Sequence, residues 1–421
     1  MFASRTDWSL TPNRLSTAIN ERRAKGLRFI DLTESNPTRC GFSANVQGFL
    51  AALANPSSLT YEPDPHGLLC ARQAVAGYYT ERGIRVDPEQ IFLTTSTSEA
   101  YSYVFRLLAN PGDNILVPRP GYPLFDFLAR LNDLELISYP LIYDQGWQIE
   151  MQALPSCLNT RTKAVLAVHP NNPTGSFVQA KDLEFLIGCC QKQPFAIIAD
   201  EVFADYAFAA PTPAALPLSS AQVPGIGTLT ASPACGAGSK STDRVRSFAA
   251  VSEALTFTLS GLSKISALPQ IKLAWVIVSG PEDLLFAALA RLEVIADTYL
   301  SVSAPLAQAL PELLESRHQV QPQILDRVRL NLGWLDKQLL PGCAVTRLET
   351  EGGWYVVLRL PAVRTDEGWA MELLREDGVL VYPGHFYDLP CESHLVASLL
   401  PQPEIFQQGI LRVLARASDE I

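Results

Sequence analysis

The chain predicts an α/β fold, a mostly parallel β-sheet covered by helices on both faces and joined to a smaller α+β C-terminal domain. Three observations lead there. Strand-length apolar runs alternate with helical patterns from residue 68 to residue 199 and resume near Leu255, as in sheets buried on both faces. Polar residues gather where several of those runs end, the side of such sheets where ligands collect. The last hundred residues change character, with short strands set between helices.

Taken in order, Thr11-Pro12 opens a predicted helix over 12–25, the proline sitting where no backbone bond is lost. The polar stretch Asp31 to Thr38 reads as a surface loop. Tyr61 precedes the turn Pro63-Asp64-Pro65-His66-Gly67, and a helix follows over 68–82. A buried strand over 91–94 runs into Thr95-Ser96-Thr97-Ser98-Glu99 and a helix ending at Leu108, where Ser96 and Glu99 have capping-box spacing. A strand, a hydroxyl-rich turn and a helix N-terminus together form an anion site. Strands are expected over 114–117, 134–139, 163–168, 195–199, 255–259 and 273–278, with helices from Gly121 towards Arg130 and over 180–190. Further helices are predicted over 281–296, 305–315 and 321–339. Strands over 345–348, 353–358, 379–382 and 395–399, with helices over 367–375 and 404–417, complete the chain. Residues 209–243, rich in Pro, Ala, Ser, Thr and Gly, read as a mobile or weakly ordered surface insertion.

Composition narrows the function. The 421 residues are 48% hydrophobic and 18% charged, enough for a large core and two domains. A net charge of −10 without a basic run argues against nucleic acid. No apolar stretch approaches the ~18 residues of a membrane span, and the N-terminus lacks the apolar core of a signal peptide. Eight cysteines without a CxxC and five scattered histidines point to reduced thiols in a cytoplasm and no metal site.

The candidate chemistry centres on Ser260-Gly261-Leu262-Ser263-Lys264. A lysine amine attacks a carbonyl only when partly deprotonated, which a desolvated pocket promotes, and Gly261 and Ser263 leave room for a bulky cofactor. The segment Thr95–Ser98, Asn172 and Asp200 sit at strand ends that face one shared site. If the ligand is pyridoxal phosphate, each has a task. Lys264 forms the Schiff base and shuttles the substrate proton. Asp200 pairs with the ring nitrogen, Asn172 holds the ring hydroxyl and Tyr122 stacks on the ring. Ser96, Thr97, Ser98, Ser263 and Lys272 bind the phosphate.

Tyr61, Asn172-Pro173-Thr174-Gly175, Asp200-Glu201 and Ser263-Lys264 with Lys272 stand in an order and spacing that resembles the class I/II aminotransferases, fold type I pyridoxal-phosphate enzymes, from about residue 28 to 417. The resemblance implies a seven-stranded sheet in a large domain over 55–298, and a small domain from 1–54 and 299–421. It also implies a homodimer with the site at the subunit interface, where Tyr61 reaches the partner's phosphate. The reaction would move an amino group between an amino acid, or an amine, and a 2-oxo acid, within amino-acid metabolism or biosynthesis. Gly352-Gly353-Trp354 and Pro383-Gly384 match the family's substrate-side turns.

The chain departs from the family at three positions. Lys272 stands where a phosphate-binding arginine is usual, which keeps the charge but loses the bidentate fork. Phe203 replaces a tyrosine that holds the ring oxygen, leaving Asn172 alone there and predicting a higher pKa for the Lys264 linkage. Val396 aligns with the carboxylate-binding arginine. Asn36, Arg39 and His385 are then the substrate-binding candidates, with Arg412 under a shifted alignment. Two rival readings use the same residues: a carbon–sulfur β-lyase, and a non-catalytic ligand sensor.

Overall fold

The computed structural model describes residues 1–43, 46–209, 244–300, 302–390 and 393–419; the expected insertion, apart from residue 209, lies outside them. The expected strands form, and the central ones of the large sheet are almost entirely buried because helices cover both faces. Strand β1 (Ile30–Asp31) belongs to the small domain. The large sheet takes β2 (Ile91–Thr94), β3 (Asn114–Arg119), β4 (Glu135–Tyr143), β5 (Trp147–Ile149), β6 (Thr162–Val168), β7 (Ala196–Asp200), β8 (Thr256–Gly261) and β9 (Ala274–Ser279), in spatial order β2-β9-β8-β7-β6-β3-β4-β5. Strands β4, β3, β6, β7 and β8 run parallel, while β9 lies antiparallel between β2 and β8. Among the described residues the large sheet therefore has eight strands rather than seven. The extra one, β5, is a hairpin return along β4, made through a turn with positive φ at Gln145 and Gly146.

Period-two burial sorts the side chains to the two faces. On β7, Ile197 and Ala199 pack with Leu186 and Phe248, and Ile198 packs with Phe92, Phe257 and Val276. All five β7 residues are buried, which carries the terminal Asp200 into a desolvated position. The helix Thr97–Leu108 starts at Ser96, whose Oγ accepts from the Glu99 amide at 3.1 Å. Glu99 reaches back one residue farther than a capping box requires, accepting the Thr95 amide at 2.6 Å. The first long helix, Arg14–Ala24, begins after Pro12 because the Asn13 side chain caps it, accepting from the Ser16 amide.

The small-domain sheet, with β10 (Thr346–Arg347), β11 (Tyr355–Arg359), β13 (Tyr382–Pro383) and β14 (His394–Ser398), is antiparallel in order β10-β11-β14-β13. Separately, β12 (Val379–Leu380) pairs in parallel with β1, Ile30 opposite Val379. The N-terminal stretch is thereby stitched into C-terminal structure, and the Ser398 amide donates to Leu32 O at 2.7 Å. The segment after β1 is consequently not a surface loop: Leu32 is fully buried and Thr33 nearly so.

Candidate active site

A cavity of about 310 Å³ opens at the carboxyl ends of β2, β3, β6, β7 and β8. Ser96, Thr97 and Ser98 reach it from the turn after β2, and Tyr122, Leu124 and Phe125 from the segment after β3. Asn172 follows β6, Asp200 and Phe203 come from the end of β7, and Gly261, Ser263 and Lys264 from the end of β8. Lys272 precedes β9, and Ser35, after β1, and Tyr355, in the strand Tyr355–Arg359, close the cavity. This is the switch-point placement expected where strand order changes direction.

Lys264 lies in the one-turn helix Leu262–Ile265 directly after β8. Its Nζ packs over the rings of Trp354, 4.8 Å from the centroid, and Phe203, 5.3 Å away. Burial pulls its pKa down to about 8, opposed by the charge of Asp200. That leaves an appreciable free-base fraction near neutrality. Below it, the Tyr206 hydroxyl donates to the Lys264 carbonyl at 2.6 Å. Because β7 ends at Asp200 and the chain turns over 202–205, the Tyr206 phenol comes back beneath the lysine.

Asp200 is buried. Burial raises its pKa, while the Val202 amide on Oδ1 at 3.1 Å, the Tyr101 hydroxyl on Oδ2 at 2.8 Å and the charge of Lys264 lower it. Its neighbour Glu201 points the other way. Glu201 accepts from the Phe248 amide at 2.6 Å and Ser247 Oγ at 2.8 Å. Burial pushes its pKa up to about 7 against the pull of Arg82.

The turn carrying Asn172 is held by Asn171, whose Oδ1 accepts from Thr174 Oγ1 at 2.9 Å. Gly175 has φ +69°, and a Cβ there would overlap the Thr350 hydroxyl and the Gly352 carbonyl. Only glycine lets this turn dock so closely on the segment 350–352. The buried Asn172 Oδ1 has no hydrogen-bond partner among the described residues. Gly261 serves a different purpose from the one its sequence context suggests. A Cβ there would lie 2.7 Å from Ala274 Cβ, so its smallness lets β8 and β9 approach, beside the space it leaves for a ligand.

The cavity thus gathers Ser96, Thr97, Ser98, Tyr122, Asn172, Asp200, Phe203, Ser263, Lys264 and Lys272. Tyr61 is not among its walls; it is 75% exposed and lines a separate pocket with Leu68, Val302 and Ser303. Nor do the four substrate-binding candidates line it. Asn36 caps the short helix Pro37–Arg39, accepting from Thr38. Arg39 is exposed and 3.8 Å from Glu34, and His385 pairs with Asp366 at 3.1 Å. Arg412 lies within the helix Pro403–Ser418 and donates to the Asp377 carbonyl at 2.6 Å. The reading of Arg412 as a substrate ligand fails because a strand there would have to replace that helix. Val396 is fully buried in β14, paired with Val357 and Tyr382 and packed in the cluster that holds Tyr387 and Leu389.

Sequence reading passed over Tyr101, Ser35 and Tyr355 as site components. Tyr101 carried a usable signal, since it stands on the site helix one turn after the Ser96 cap. Ser35 and Tyr355 come from another domain, and nothing in local sequence fixes how domains meet.

A parallel sheet whose strand ends converge on a buried lysine of lowered pKa and a buried carboxylate defines a fold type I pyridoxal-phosphate enzyme. The family model of class I and II aminotransferases matches residues 29–399, and the chain belongs to that family. It is a pyridoxal-phosphate-dependent aminotransferase. Among its relatives, a glutamate-pyruvate aminotransferase of Haemophilus influenzae is 24% identical over 94% of this chain and 92% of its own length. An alanine aminotransferase of Mycobacterium tuberculosis is 25% identical over 90% and 83%. The structure of an alanine aminotransferase from Pyrococcus furiosus superposes with a TM-score of 0.81 at 19% identity, covering all of both chains. Among the described residues, no helix is long and apolar enough to cross a membrane.

Proposed function

We propose that the cavity holds pyridoxal phosphate and that the enzyme moves an amino group between a neutral amino acid and a 2-oxo acid. The observation that carries this reading is the pairing of Lys264, its pKa drawn down to about 8, with the buried carboxylate of Asp200 in one cavity. The donor set suits the cofactor. Asn172 lines the cavity, and its buried side-chain oxygen has no protein partner among the described residues. Hydroxyls at a helix N-terminus suit a phosphate.

Bound there, the cofactor supplies an electron-withdrawing ring. Lys264 Nζ would anchor it covalently and, once the substrate's amino group displaced it, would be free to take the proton from the substrate Cα and return it on the other side of the exchange. Asp200 holds a proton on the ring nitrogen. Ser96, Thr97, Ser98, Ser263 and Lys272 bind the phosphate, Asn172 orients the ring and Tyr122 covers its face. Phe203 adds only apolar contact, being packed edge-on against Trp354 at 5.2 Å. In this scheme the chain divides at 55–298 and forms a homodimer in which the exposed Tyr61 would reach a partner's phosphate. A cytoplasmic setting suits the thiol content.

The neutral donor is supported by the substrate end of the cavity, where Ser35, Tyr122, Phe125 and Tyr355 form the wall and Lys264 and Lys272 are the cations lining it. The names of the alanine aminotransferase relatives point the same way. The test is a half-reaction panel on the loaded enzyme. Conversion of the visible absorbance by alanine and other neutral amino acids, but not by aspartate, is expected. Conversion by aspartate alone would overturn the donor assignment. Steady release of pyruvate and ammonia without an acceptor would favour the β-lyase.

A further inference from the structure

Asp200 has to remain a carboxylate in a place that favours the neutral acid, since burial is the largest influence on it. The charge of Lys264 and two hydrogen bonds from the protein oppose that. The Val202 amide donates to Oδ1 at 3.1 Å and the Tyr101 hydroxyl to Oδ2 at 2.8 Å. Tyr101 is 2% exposed. Its ring is held between Phe125, centroids 5.5 Å apart with the planes at 66°, and Phe105 at 5.8 Å, which restricts where the phenol points. Burial and the charge of Asp200 both push the phenol's own pKa upward, which keeps it a donor throughout the working pH range. A phenylalanine would fill the same apolar space; what the hydroxyl adds is the bond to Asp200.

We propose that Tyr101 is a positioning residue for the reaction. By donating to Oδ2 it fixes the orientation of Asp200 and weakens its basicity, so that the proton shared between Asp200 and the cofactor's ring nitrogen stays on the nitrogen. Only the position of that proton is at stake, and no other bond changes. The inference rests on the assignment of Asp200 to the ring nitrogen.

The test is Tyr101→Phe, loaded with pyridoxal phosphate carrying ¹⁵N in the ring. The variant is expected to keep the visible band of the Lys264-bound cofactor. Its nitrogen resonance should move from the protonated position of the wild type towards that of neutral pyridine. Its kcat should fall about tenfold or more, the scale of a lost hydrogen bond to a charged group, with KM within about twofold. An unchanged resonance and an unchanged kcat would overturn the proposal. Tyr101→Met, which also removes the donor, serves if the first variant does not fold, with the same two outcomes. An unprotonated nitrogen in the wild type would instead overturn the Asp200 assignment, and with it the proposal. A failure of the underlying reading is thereby told apart from a failure of the role given to Tyr101.

Discussion

The two ends of the cavity are built differently. At the end proposed for the cofactor, Ser96, Asn172, Asp200 and Lys264 each follow the end of a strand of one sheet, so backbone hydrogen bonding fixes their relative positions. At the substrate end, Tyr122 comes from the large domain and Ser35 and Tyr355 from the N-terminal segment and β11. Their positions depend on how the domains dock, through contacts such as Gly175 against the segment 350–352. The first end has charged groups tuned against one another. The second presents phenols and a hydroxyl. Groups set by one rigid sheet specify the shared chemistry, and groups set by docking are free to specify the substrate.

If that division is right, changes at the cofactor end should dominate. Lys264→Ala should lower kcat by about 10³-fold or more, since it removes both anchor and proton carrier, and should abolish the visible band while the far-ultraviolet circular dichroism stays unchanged. Asp200→Asn should lower kcat by roughly 10²-fold or more with cofactor still bound; a near-normal kcat in this variant would break the comparison. Lys272→Ala should weaken cofactor binding by about tenfold, the scale of one charge-assisted hydrogen bond, measured by fluorescence titration of the apoprotein.

Changes at the substrate end should appear in KM. Tyr355→Phe should raise KM for the amino donor by severalfold with kcat nearly kept, whereas Arg39→Ala and His385→Ala should leave KM within about twofold. A large KM effect at Arg39 would mean that the cation reaches the substrate after all. The smallest effect concerns folding. Burial raises Glu201 from its ordinary 4.5 to about 7, so above pH 4.5 the native state holds a proton that the unfolded chain has released. Stability of the apoprotein should therefore fall as pH rises from about 4.5 through about 7, and Glu201→Gln should flatten that slope in urea titrations at fixed pH values.

The residues we propose for the cofactor could be located in the sequence because each follows a strand. Strand patterns locate β2, β6, β7 and β8, and the residues that follow them, Ser96, Asn172, Asp200 and Lys264, are placed by being strand ends. Helix limits were readable to within a few residues because caps such as Ser96 are local. The edge hairpin β5 was missed because three residues, Trp147–Ile149, make too short a run to announce a strand. The stretch after Asp31 looked like a surface loop because its polar residues conceal the pairing of β1 with β12, more than three hundred residues apart. The substrate residues suggested by position, Asn36, Arg39, His385 and Arg412, do not line the cavity because each is already engaged by a nearby group. Tyr101 escaped notice because a tyrosine on an amphipathic helix reads as packing until its partner is known.

The most direct test of the account is the visible spectrum of the purified protein with added pyridoxal phosphate, recorded beside Lys264→Ala and then after addition of alanine. The account predicts a visible band in the wild type alone, converted to the amine form by alanine and restored by pyruvate. A band that persists unchanged in Lys264→Ala, or a wild-type protein that shows none, would contradict it.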